Sequence, residues 1–152
     1  MERIDFYHLQ KSTLDETLPK LVLKAYETKK NIKIKVGNEL RTDFLNSLLW
    51  TFDDESFLPH GIKKEGFADM QPIFLSSDDE TPNNAKILFL VDGADIMPEE
   101  SQEFERALYI FDGNNENELS KARQMWKAFA SANIERHYWQ QNDQGKWEEK
   151  GL

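Results

Sequence analysis

Apolar and polar positions along the chain change period several times, and each change marks an element. The opening segment, residues 4–9, alternates in part and is rich in aromatics (Ile4, Phe6, Tyr7, Leu9), which predicts a strand. Ser12 or Thr13 can then cap a helix that carries Asp15 and Glu16 in its first turn. Leu14, Leu18, Leu21, Val22, Ala25 and Tyr26 recur behind the cap at helical spacing, and Pro19 belongs within or just after the first turn. Ile32, Ile34 and Val36 alternate with lysines and read as a half-buried strand. Asn38 opens a second helix, whose expected apolar stripe is Leu40, Phe44, Leu45, Leu48 and Leu49.

Residues 61–71 are irregular and glycine-marked, residues 72–75 suggest a short strand, and residues 78–84 form a polar loop. Residues 85–92, AKILFLVD, are the most apolar stretch, as expected of a strand buried on both faces. A short acidic helix is expected over residues 98–106 and a buried strand over 108–111. Asn115 or Asn117 starts a long helix running to about Asn133. Residues 136–140 read as a last strand, 142–145 as a turn and 146–152 as a tail. Strands alternate with helices throughout. This predicts a single three-layer α/β domain over residues 1–152, with a largely parallel central sheet covered by helices on both faces.

Length and composition narrow the functions. A chain of 152 residues buries about 70% of its unfolded surface and supports a real core. It has no cysteine, so disulfides and thiolate chemistry are excluded. The N-terminus shows no secretory pattern, and the apolar run Ile87–Val91 is too short to span a bilayer, so a soluble, cytoplasmic protein with no membrane contact is expected. The net charge of −9 opposes direct contact with a phosphate backbone.

Few segments carry chemistry. ILFLVDGAD ends a buried strand with Asp92 and Asp95, the pattern of a small nucleotide- or metal-dependent enzyme. No phosphate-binding glycine loop accompanies it, and turn chemistry explains the same residues. The three histidines, His8, His60 and His137, have no ligand spacing, and His60, between Pro59 and Gly61, is expected to shape a turn. No metal or other cofactor is implied. The long helix is more telling. Leu119, Ala122, Met125 and Phe129 form one stripe, with Arg123, Trp126 and Lys127 beside it. Two cations around an indole suit an acidic peptide with an apolar end. The other reading is a core tryptophan with two solvated cations.

Four segments then resemble one family in order and spacing: I-D-F-Y-H-L at residues 4–9, LLW…ESFLPHGI at 48–62, A-R-x-x-W-K-x-F at 122–129 and YWQQ…G-x-W at 138–147. The sequence is similar to the chi subunit of bacterial DNA polymerase III, an accessory protein of the clamp-loader complex. The resemblance implies a non-catalytic adaptor, with a nucleotide-binding-like topology but no nucleotide site. It implies binding of the acidic C-terminal tail of single-stranded DNA-binding protein, which ends in Asp-Phe, so that DNA is reached only indirectly. The positions that match the family's tail pocket are Arg123, Trp126 and Lys127, where the family more often has tyrosine in place of Trp126. A second surface, matching Trp50, Phe57, Pro59 and His60, is implied to dock the psi subunit or an accessory helicase.

Overall fold

The computed structural model describes residues 1–52 and 59–151. Eleven regular elements follow one another: β1 (Arg3–Leu9), α1 (Leu14–Tyr26), β2 (Ile32–Val36), α2 (Glu39–Thr51), β3 (His60–Ile62), β4 (Ile73–Ser76), β5 (Ile87–Val91), β6 (Arg106–Asp112), α3 (Glu116–Ser131), β7 (Glu135–Gln141) and β8 (Trp147–Glu149). The strands form one eight-stranded sheet in the order β3-β4-β2-β5-β6-β1-β7-β8. Every pairing is parallel except that of β7 with β8. The expected three-layer α/β architecture is therefore the one observed.

Strand alternation divides the core in two. Tyr7, Leu9, Phe89, Val91, Leu108 and Ile110 face one side, where residues of α1 and α2 cover them. Ile4, Phe6, Leu88, Leu90, Tyr109 and Phe111 face the other, packed with Ala122, Met125 and Phe129 of α3. The helices start at the expected side-chain caps: Thr13 accepts from the Glu16 amide, Asn38 from the Arg41 amide, and Asn115 from the Asn117 and Glu118 amides.

Several expectations need correction. Pro19 is not among them: it is the sixth residue of α1, just after the first turn, and buried. The inner face of α2 is Thr42, Leu45, Asn46 and Leu49, so the expected stripe is rotated. Leu40 and Phe44 point outward, at 84% and 48% exposure. The inward donors are served locally, while Asn46 Oδ1 is buried with no hydrogen-bond partner among the described residues. Thr42 Oγ1 donates to the Asn38 carbonyl at 2.9 Å, and Asn46 Nδ2 donates to Glu65 at 3.1 Å. In place of a helix over residues 98–106 there is a 3-10 turn, Pro98–Glu100, closed by Ser101 Oγ donating to the Pro98 carbonyl at 2.7 Å, and Arg106 already belongs to β6. The tail beyond the 142–145 turn folds back as β8.

Two buried charges organise the sheet. Asp5 of β1 is fully buried. Arg3 grips it with two bonds of 2.9 and 2.7 Å, Arg106 of β6 donates at 2.9 Å, and Trp139 of β7 donates at 3.0 Å. Burial alone would raise the Asp5 pKa, but the bonds from Arg3 and Trp139 and the charge of Arg106 outweigh it and hold the carboxyl below its ordinary value. Lys33 of β2 is also buried, and its ammonium is capped by Ser76 Oγ and the carbonyls of Asp78 and Glu80. Desolvation pushes its pKa down to about 8, against the attraction of Asp78 and Asp79.

Gly37, at the end of β2, is required by contact. A Cβ there would lie 1.7 Å from the Asp92 carbonyl oxygen.

Two stability predictions follow from these charges. Asp5→Ala leaves two arginines and an indole N–H without their acceptor and should cost about 3 kcal/mol in urea denaturation at neutral pH. Because the folded-state pKa is depressed, that contribution is present above the unfolded pKa near 4. It should disappear as pH falls through the lower folded value. Lys33 behaves oppositely. Its ammonium is disfavoured on folding, so between pH 8 and the ordinary lysine value of about 10.5 the wild type should gain stability relative to Lys33→Met, by at most about 3 kcal/mol. A wild-type-minus-variant difference that stays flat over that range would show that Lys33 titrates normally.

Candidate functional site

The α3 layer leaves one side of the sheet only partly covered, and a cleft of 360 Å³ opens there. Its construction is local on the helix and non-local on the sheet. Ala122, Met125 and Phe129 turn inward, which places Arg123, Trp126 and Lys127 along the helix margin. The parallel pairing of β1 with β7 sets Phe6 opposite Tyr138. Both side chains point to the α3 face and, with His8 and Leu119, complete the lining. Phe6 meets Trp126 edge-on at 5.1 Å, and Tyr138 meets it edge-on at 6.1 Å. Three aromatic rings thus form an apolar box below two cations.

The charges of the cleft are one-sided. Arg123 and Lys127 are exposed and form no ion pair among the described residues. In a chain of net charge −9, this is a local reversal of sign. The polar residues behind the box are neutral. Tyr138 Oη meets His8 Nδ1 in a short hydrogen bond and accepts from Gln140 Nε2 at 3.1 Å. Burial lowers the His8 pKa, partly offset by Asp112. Gly113 allows the His8 ring its place, since a Cβ there would lie 1.9 Å from His8 Nε2. A larger hollow of 520 Å³ on the opposite face is lined by Tyr7, Trp139, Trp147 and Arg106, but that arginine is already bonded to Asp5. Lys24 also borders that hollow without an ion pair among the described residues, so what distinguishes the α3 cleft is that two such cations, Arg123 and Lys127, flank its rings.

The structure thus brings together Arg123, Trp126 and Lys127, as their spacing suggested. It adds Phe6, His8 and Tyr138, which the sequence reading did not associate with them. Arg136 was also missed. Its guanidinium lies 4.1 Å above the Trp126 ring.

The second set of residues is more dispersed. Trp50, near the end of α2, is 47% exposed, and Pro59 is half-buried just before β3. Phe57 lies outside the described residues. His60 does not shape a turn. It is a buried residue of β3, with Nε2 bonded to the Asn46 carbonyl at 2.8 Å and its ring 4.1 Å from that of Trp50. It therefore supports Trp50 from below rather than facing solvent.

Asp92 and Asp95 do not converge. The Asp92 carboxylate is bonded by Arg41 Nε at 2.9 Å, and Arg41 also holds Asp15 at 2.7 Å. Asp95 is exposed, and its carbonyl accepts from Lys35 at 2.8 Å. Among the described residues no group of three or more histidine or acidic side chains is arranged to hold a metal ion. No helix among them is long and apolar enough to cross a membrane.

Comparison with known proteins agrees with this arrangement of segments. Residues 1–137 match the family model described as DNA polymerase III chi subunit, HolC. A curated relative from Rickettsia prowazekii, named probable DNA polymerase III subunit chi, is 27% identical over 117 residues, which cover 74% of this chain and 71% of that protein. With a match running from β1 through α3 into β7, the chain belongs to the DNA polymerase III chi subunit family, the accessory subunits of a replicase.

Proposed function

We propose that this replication subunit is a non-catalytic adaptor whose α3 cleft receives the acidic C-terminal tail of single-stranded DNA-binding protein. The observation that carries the reading is the pairing of two uncommitted cations, Arg123 and Lys127, with an aromatic box of Trp126, Phe6 and Tyr138. An acidic peptide that ends in an aromatic residue matches both halves. Its carboxylates meet Arg123 and Lys127, and its terminal ring enters the box. The surrounding acidity limits the partners. A phosphate backbone would meet a net charge of −9, whereas a short tail reaches only the locally basic cleft. DNA is then held indirectly, through the protein that coats it.

A second contact joins the chain to the clamp loader. Trp50, seated on His60, with Pro59 next to His60 in the chain, is the support for an aromatic docking patch that takes the psi subunit or an accessory helicase. The two contacts lie at different ends of the sheet, α3 over β1 and β7 and Trp50 beside β3. Tethering the tail at one and the cytoplasmic replication machinery at the other raises the local concentration of each, so neither contact needs to be tight.

Calorimetric titration with a short acidic peptide ending in Asp-Phe tests the cleft. Binding at the micromolar scale, about −8 kcal/mol, is expected. It should weaken with rising salt. Arg123→Ala and Lys127→Ala should each reduce affinity roughly tenfold, as should amidation of the peptide end. Affinity that ignores salt and survives both substitutions would rule the cleft out as the receiver.

A further inference from the structure

Trp126 sits on the margin of a helix, where a tryptophan has rotamer freedom to spare. Phe6 and Tyr138 touch it only edge-on, at interplanar angles of 70° and 85°. Such T-shaped ring contacts limit where the indole lies but set no polar or charged group against it. One further group covers a face. The Arg136 guanidinium is centred 4.1 Å from the ring, and its Nη1 donates to the backbone carbonyl of Trp126 itself at 3.1 Å.

We infer that Arg136 is the positioning residue of the cleft: stacked on the Trp126 indole and bonded to the Trp126 carbonyl, it fixes the ring in the orientation that an acidic peptide with an aromatic end meets. The inference rests on the cleft reading given above. Three features carry it. First, Arg136 is anchored to helix backbone, so the guanidinium cannot follow the indole into another rotamer. Second, it stands behind the indole, since the cleft is walled by Phe6, Leu119, Ala122, Trp126 and Tyr138, with Arg123 and Lys127 at the rim. Third, no carboxylate pairs with it among the described residues, so its polar contacts there go to Trp126. Strand alternation explains its aim. On β7, Arg136 points to the same face as Tyr138, two residues on, and β1 places Ile4 beside it and Phe6 beside Tyr138. Arginine suits the task where lysine does not, because a planar guanidinium stacks and donates in its plane at once. Holding the ring in place before the peptide arrives spares binding the cost of ordering it.

The test is a double-substitution cycle on the full chain, titrated by calorimetry with an acidic peptide ending in Asp-Phe. The four proteins are the wild type, Arg136→Met, Trp126→Ala and the pair. Arg136→Met should weaken binding about fivefold, the range of a partly buried cation–aromatic contact. It should cause no further loss in the Trp126→Ala background. The slope of affinity against salt should match the wild type, and the Trp126 indole N–H resonance should move in the free protein. Arg136→Lys, which keeps the charge, should resemble Arg136→Met and covers the case in which the methionine variant folds poorly. An equal loss in both backgrounds with a shallower salt slope would mean that Arg136 meets the carboxylates directly, and the inference fails. Unchanged binding by Arg136→Met also overturns it while leaving the cleft intact. A wild type that binds no peptide overturns the cleft reading first, and this inference with it.

Discussion

The buried carboxylate of Asp5 is the constraint on which the rest depends. It is fully buried on the interior strand β1, and its partners come from β1, β6 and β7. An acidic group in that position is tolerable only when every lone pair is met, and the acceptors are met only in one register. That register aligns Asp5 with Leu108 on one side and His137 on the other. A slip of one residue would strand the carboxylate and would also turn Phe6 away from α3. The ion cluster on one face thus fixes the aromatic floor on the other.

From this constraint the two faces take separate tasks. The α1–α2 face holds the larger apolar cluster and the Asp5 cluster. The α3 face is covered by a single long helix, and where that helix leaves the sheet partly open the cleft forms. Toward the β3 end of the sheet, β2 turns Lys33 and Lys35 to the face opposite Ile32, Ile34 and Val36, beside Asp78, Asp79 and Phe104. Both lysines are tied into the acidic loops, Lys33 to residues 76–80 and Lys35 to Asp79. Arg41 is spent on Asp15 and Asp92. Much of the positive charge is thereby absorbed by internal pairs, which is why Arg123 and Lys127 stand out without any general basic character in the chain.

What could be read from the sequence was what depends on near neighbours. The caps at Thr13, Asn38 and Asn115 need only a side chain and an amide two or three residues on. The stripe Arg123–Trp126–Lys127 lies on one helix and follows from its period. The rest depended on distant pairing. Phe6 and Tyr138 are neighbours only because β7 returns beside β1, and Arg136 reaches Trp126 by the same route. Strand β8 is short and polar, and it exists by pairing with β7, with Trp147 packed edge-on against Tyr7. The rotation of α2 was hidden because Thr42 and Asn46 read as outward residues, yet their bonds to Asn38 and Glu65 let them face in. His60 looked like a turn residue between proline and glycine, but a carbonyl of α2 and the ring of Trp50 hold it in a strand.

The central claim is that the cleft beside α3, and no other surface, receives the acidic tail. Nuclear magnetic resonance mapping with isotope-labelled protein and unlabelled tail peptide addresses this most directly. The account predicts that shifts concentrate at the Trp126 indole, the Arg123 and Lys127 amides, and Phe6 and Tyr138, while Trp50 and Asp92 stay unmoved. Shifts centred on Trp50, or spread over the hollow at Tyr7, Trp139 and Trp147, would contradict it.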